Sequence, residues 1–153
     1  MRSGLSIACL FVLLHLVLGG CASQTETIRV NSLVVDVSTG ANDDTPIAVD
    51  FVAVMDEDLF RLLSDTTAKK WFADREQFFR DYRKMYSIWS LELVPGQFIE
   101  FHDFPFAGDT VVGLIVFASY SSPGTHRLRL NESGRVWLRF DSREMRLLTE
   151  SGK

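Results

Sequence analysis

The sequence predicts an all-β-dominated fold, a two-sheet β-sandwich with a helical insertion between the second and third strands. Three observations predict it. Short runs of alternating apolar and polar residues recur from residue 28 onward, each closed by Gly, Pro, Asn or Asp, as strands half-buried on one face require. Between residues 57 and 86 the apolar period lengthens from two to nearly four, which is the spacing of one helix face. The run Val111-Val112-Gly113-Leu114-Ile115-Val116-Phe117-Ala118 does not alternate at all, so its strand is expected to be covered on both faces. About eight strands with helices after the second pack as two sheets around one core. Twelve Phe and three Trp supply apolar area for that core, because aromatic side chains bury much surface with few rotatable bonds.

The first strand is expected over residues 28–38. Ile28 and Val30 share one parity and Leu33, Val35 and Val37 the other, so the alternation slips at Asn31-Ser32 and predicts a bulge or a change of face. Gly40-Ala41-Asn42-Asp43-Asp44-Thr45-Pro46 follows, an exposed loop in which Gly and Asn are free to take positive φ. The second strand, 47–55, is apolar on both sides except at Asp50 and belongs inside a sheet.

Asp56-Glu57-Asp58 puts negative charge at a helix start, with Leu59, Phe60, Leu62 and Leu63 as the stripe behind it. Asp74 and Gln77 have the spacing of a capping box, and Phe78, Phe79, Tyr82 and Met85 or Tyr86 prolong the helical pattern. Two or three helical segments are expected within residues 57–86. Trp89, Leu91 and Leu93 then alternate inward over 87–94, Pro95-Gly96 suits a type II turn, and 97–103 is expected to return as the second arm of a hairpin. Phe104-Pro105-Phe106-Ala107-Gly108-Asp109 is an unusually aromatic loop. After the apolar strand within 110–120, a turn at Ser121-Ser122-Pro123-Gly124 leads to three short strands, 126–130, 135–140 and 145–149.

Ahead of this domain, Arg2 and an apolar run over residues 5–18 end in Leu18-Gly19-Gly20-Cys21. The run is shorter than the roughly 20 residues of a membrane-spanning helix, and its closing residues resemble the processing box of bacterial lipoproteins. That resemblance implies removal of residues 1–20, acylation of Cys21 and sorting to the outer membrane, since Ala22 stands where Asp would retain the protein in the inner one. Residues 21–27 then form a short tether and 28–150 the sandwich domain. An ordinary secretory leader with a cysteine near its end is the other reading. The two cysteines are Cys9, lost with the leader, and Cys21, blocked by lipid, so no disulfide is expected in the domain and its core must hold the fold alone. A net charge of −4, made more negative by loss of Arg2, argues against a nucleic-acid partner.

Taken in order, the chain resembles the outer-membrane lipoprotein of the type VI secretion membrane complex, the TssJ family. The residues that carry the resemblance are the lipoprotein box, the loop with Asn42 and Pro46-Ile47, Phe78-Phe79 in the insertion, Leu93-Val94-Pro95-Gly96-Gln97, and Val112-Gly113-Leu114-Ile115-Val116-Phe117-Ala118-Ser119-Tyr120. It spans roughly residues 28–148. It implies a transthyretin-like sandwich, anchored through Cys21 to outer-membrane lipid on the periplasmic face. It also implies binding to the periplasmic region of the IcmF-like inner-membrane subunit, TssM, through a loop that corresponds here to Gly40, Ala41, Asn42, Asp43, Asp44, Thr45 and Pro46. On the residues alone, that loop reads first as a solvated hairpin turn, with Asn42, Asp43 and Asp44 projecting polar groups from a rigid scaffold.

No Gly-X-Ser-X-Gly elbow, His-Glu-X-X-His or phosphate-cradling glycine loop occurs, so neither an enzyme, a small-molecule substrate nor a cofactor beyond the lipid is expected. His102, Asp103 and His126 lack the spacing of metal ligands. Arg127, Arg129, Arg135, Arg139, Arg143 and Arg146 alternate with apolar residues. They form a basic face for acidic partners or lipid head groups, or a guard against edge-to-edge association. A groove lined by Trp71, Phe78 and Phe79 would instead suit a pilotin-like lipoprotein that escorts a secretin, and an enclosed apolar cavity would suit a periplasmic ligand-binding module.

Overall fold

The computed structural model describes residues 24–148. The expected leader, Cys21 and Thr149 of the last expected strand lie outside the described residues. The strands are β1 (Glu26–Thr27), β2 (Arg29–Val37), β3 (Ile47–Val54), β4 (Tyr86–Leu93), β5 (Phe98–Phe101), β6 (Thr110–Val111), β7 (Gly113–Ala118), β8 (Arg127–Leu130), β9 (Ser133–Phe140) and β10 (Met145–Leu148). Two helices, α1 (Glu57–Ser64) and α2 (Ala68–Asp81), separate β3 from β4. One four-stranded sheet has the order β10-β9-β2-β5 and the other β4-β3-β7-β8, while β1 pairs with β6. This is the expected two-sheet sandwich with its helical insertion. Residues 26–27, expected in the tether, are already a strand.

Local sequence explains most elements. The slip at Asn31-Ser32 is a real bulge, because the parallel pairing of β2 with β9 shifts register between Val30 and Ser32. The helix α1 starts where Asp56 accepts the Leu59 amide at 2.9 Å, a side-chain N-cap. The Asp74–Gln77 capping box does not form. Thr67 caps α2 instead through the Lys70 amide, so Asp74 lies inside the helix and pairs with Lys70 at 2.6 Å.

The hairpin expected around Pro95-Gly96 does not form either. The turn itself is present, with Gly96 at φ +80°, the positive value a type II turn requires. However, the Gly96 amide donates to the Ser38 carbonyl at the end of β2. The outgoing strand β5 is thereby drawn onto β2, antiparallel, and β4 stays in the other sheet. Pro95-Gly96 is a crossing between sheets.

Two apolar layers result. Between the sheets lie Leu33, Val35 and Val37 of β2, Val49 and Phe51 of β3, Leu114 and Val116 of β7, and Leu138 and Phe140 of β9. The aromatic loop closes one end of this layer, since Phe104 and Phe106 are buried and Phe104 packs edge-on against Phe51 and Trp89. On the outer side of the β4-β3-β7-β8 sheet, Val52, Val54, Ile115 and Phe117 meet Leu59, Leu63, Trp71 and Phe78 of the helices. The non-alternating run of β7 is thus divided between both layers. Gly113 opens it because the Phe60 ring of α1 occupies the space a Cβ would need.

Candidate functional site

The loop between β2 and β3 is a left-handed turn. Asn42, Asp43 and Asp44 have φ values of 50°, 54° and 60°, a region that costs most L-residues roughly 1–2 kcal/mol but that Asn and Asp tolerate. Gly40 does not take the positive φ expected of it, at −101°. The strain is held by Asn42, which is 3% exposed. Its side-chain amide donates to Thr45 Oγ1 at 2.8 Å and to the Pro46 carbonyl at 3.1 Å. Its Oδ1 accepts the Ser121 amide at 2.7 Å, and its own amide donates to the Ser142 carbonyl at 3.0 Å. Asn42 therefore ties three loops at one end of the sandwich.

Of the seven loop residues named from the resemblance, Ala41 and Asn42 are buried and Gly40, Asp43, Asp44, Thr45 and Pro46 are exposed. The surface of the loop is thus two adjacent carboxylates on a backbone fixed in advance. Next to it, Tyr120 donates its hydroxyl to the Glu144 carbonyl at 2.8 Å and stacks on His126 at 4.8 Å. Burial is the main force that pushes this hydroxyl's pKa up, with Asp141 and Glu144 adding to it.

A second polar cluster lies under the helices. Asp50, 1% exposed, accepts hydrogen bonds from Trp71 Nε1 at 2.9 Å and Ser90 Oγ at 2.6 Å, and pairs with Arg75 at 3.2 Å. Tyr86 stands beside it, its hydroxyl without a hydrogen-bond partner among the described residues and its pKa raised chiefly by burial. In the sequence, Asp50 was visible as the polar interruption of an apolar strand, but nothing local named Trp71, Arg75 and Ser90 as its partners.

Other candidates are separated by the fold. Trp71 and Phe78 are core residues, so of the expected aromatic groove only Phe79 reaches the surface. There it lines an open groove with Arg75, Glu76, Arg80, Ile88 and Ser90. His102 is exposed beyond β5, whereas His126 sits at the other end of the sandwich on Tyr120. The arginines form no single face. Arg127 and Arg129 lie on the helix side, bound to the Thr66 carbonyl and over the Phe60 ring. Arg135, Arg139 and Arg146 lie on the outside of the opposite sheet, paired with Glu100, Asp36 and Asp141. The Asp36 and Asp141 carboxylates raise the pKa of Arg139 further.

Together these features define a β-sandwich roofed on one sheet by two helices, with a rigid loop at one end. This is the fold of the type VI secretion lipoproteins. The lipoprotein TssJ1 from Pseudomonas aeruginosa matches with a TM-score of 0.58 and 13% identity over 84% of this chain and 100% of its own. Lip from Serratia marcescens, a membrane-bound component of the type VI secretion system, matches at 0.54 and 15% over 80% and 97%. A chain of a type VI membrane complex matches at 0.59 and 15% over 84% and 100%. At such identities the likeness is one of fold. No protein-family profile matches the sequence, and no curated protein does.

Proposed function

We propose that the chain is a lipoprotein, acylated at Cys21 and held on the periplasmic face of the outer membrane, that docks a type VI secretion membrane complex there. Its partner in this reading is the periplasmic region of the IcmF-like subunit, TssM. The observation that carries the reading is a sandwich shared with a membrane-bound type VI secretion component and a type VI secretion lipoprotein over 97% and 100% of their own length, joined to residues 18–21, which resemble a lipoprotein box. The geometry is consistent with it. The described chain begins beside β1, and β2 then runs for nine residues to the loop 40–46, about 30 Å at the rise of a strand. An anchor at one end would present the loop at the other.

The test is affinity capture of the full-length acylated protein from detergent-solubilised envelopes. Deleting the loop would remove Asn42 and its ties, so the informative variant is Asp43→Asn with Asp44→Asn, which discharges the tip yet keeps residues that accept positive φ. An IcmF-like subunit is expected to copurify with the parent and to fall several-fold with the variant. Capture of a secretin, or of no IcmF-like subunit, would overturn the proposal.

A further inference from the structure

Because β4 and β5 belong to different sheets, β4 is an edge strand. The other three edges of the four-stranded sheets, β5, β8 and β10, have four residues each, whereas β4 has eight. Its pairing with β3 is unbroken from Ile47–Leu93 to Val54–Tyr86, and it contains neither Pro nor Gly. Among the described residues, no strand pairs with its outer side. Short length, bulges, Pro and inward charge are how proteins protect an edge, and β4 has only Glu92 to serve.

The margin of β4 is also apolar and cationic. Beside it α2 overhangs a groove of about 460 Å³ lined by Arg75, Glu76, Phe79, Arg80, Ile88 and Ser90. Phe79 is 54% exposed, with the Arg83 guanidinium 5.4 Å from its ring centre. Met85 and Val94, both exposed, stand at the two ends of the strand. Around the groove Arg75 pairs with the buried Asp50 at 3.2 Å and Arg80 loosely with the exposed Glu76 at 3.8 Å, while Arg83, over the Phe79 ring, has no carboxylate partner among the described residues.

We infer that β4 and this groove take up an extended, acidic segment of a partner protein by strand addition. Main-chain hydrogen bonds to β4 would hold the segment. Since side chains alternate along a strand, every second residue would face α2, an apolar one entering between Phe79 and Ile88 and a carboxylate meeting Arg80 and Arg83. A second copy of the chain is the poorer occupant, because its own β4 offers a single carboxylate, Glu92, to the two exposed guanidinium groups of Arg80 and Arg83. The inference does not rest on the loop 40–46.

The probes are three fluorescent octapeptides of alternating residues: Glu and Val, the same with every second backbone amide N-methylated, and Lys and Val. Each is titrated into the full-length protein in detergent and followed by anisotropy. The Glu-Val peptide is expected to bind, with N-methylation or Lys each weakening it about tenfold or more as the ladder or the charge match is lost. Arg80→Glu, on an exposed helical position, should reverse the preference for Glu over Lys while the circular dichroism spectrum stays the same. The Asp43→Asn, Asp44→Asn protein should bind the peptide as the parent does, which separates this site from the loop. Equal binding of the N-methylated peptide, indifference to charge, or no binding by any peptide overturns the inference. So does sedimentation as a dimer that Arg80→Glu dissolves.

Discussion

The two sheets share one core, yet their outer faces are opposites. On the β4-β3-β7-β8 sheet the middle of the outer face is buried beneath α1 and α2, and the charge buried there, Asp50, is fully enclosed by specific partners. On the β10-β9-β2-β5 sheet the outer face carries no helix among the described residues. It is laced by Arg135–Glu100, Arg139–Asp36 and Arg146–Asp141 pairs, with Phe98 packed edge-on to Trp137 at 6.1 Å. The difference shows where stability and where surface chemistry reside. A roofed face must satisfy every polar group internally, whereas an open one can leave that to water and uses charge to stay soluble. The helices matter for a second reason, since they turn β4 from a bare edge into the wall of a groove.

The strongest way to break this contrast is to remove one Trp from each face. Trp71 is fully buried, stacks on Phe117 at 5.0 Å and donates to Asp50. Trp71→Ala is expected to cost about 3–5 kcal/mol, the range for deleting a large core aromatic. Trp137 is only half-buried and its indole N–H has no partner among the described residues, so Trp137→Ala should cost well under half as much. Urea unfolding of both variants decides it, and hydrogen exchange should report the loss over α1 and α2 for Trp71→Ala alone. Equal costs would mean that the open face is covered in solution.

A smaller effect sharpens the same contrast through charge. Asp50→Ala leaves the Trp71 N–H buried without an acceptor, for which about 1–3 kcal/mol is expected. Arg75, about half exposed, can turn to water. Arg135→Ala on the open face breaks a pair that water already screens, and about 0.2–1 kcal/mol is expected. Added salt should erase the second difference and leave the first.

What the sequence made legible follows the same division. Period and punctuation are local, so the bulge at Asn31-Ser32, the double burial of the β7 run and the burial of Leu59 and Leu63 behind Asp56 could all be read directly, while Leu62 of the expected stripe is exposed. Sheet membership is not local. The arginines of β8 and β9 alternate in the same way, and only the pairing of β8 with β7 and of β9 with β2 sends them to opposite faces. Pro95-Gly96 likewise serves a hairpin or a crossing equally well, and the distant Ser38 carbonyl decides which. The loop 40–46 was recognisable as a turn, but the burial of Asn42 depends on Ser121, 79 residues away. The polar cluster at Asp50 was half visible, as a residue out of place without its partners.

The last expected effect, of the size of one hydrogen bond, concerns the tie between the sheets. Tyr120 follows β7 of the roofed sheet, while the carbonyl it donates to, that of Glu144, precedes β10 of the open one. Burial raises its pKa above the ordinary value, which is about 10. Below that pH the hydroxyl keeps its proton folded or unfolded, so the tie contributes in full. Above it the unfolded chain releases the proton and the folded one holds it, so the unfolded state binds fewer protons and stability falls as pH rises. Tyr120→Phe should lower stability at neutral pH by about 0.5–1.5 kcal/mol, the net worth of one hydrogen bond, and should flatten the alkaline decline seen in the parent. Thermal unfolding between pH 7 and about pH 11, a range chosen to bracket the ordinary tyrosine value, separates the two contributions. If the parent and Tyr120→Phe decline in parallel, Tyr120 is not the group whose titration weakens the fold at alkaline pH.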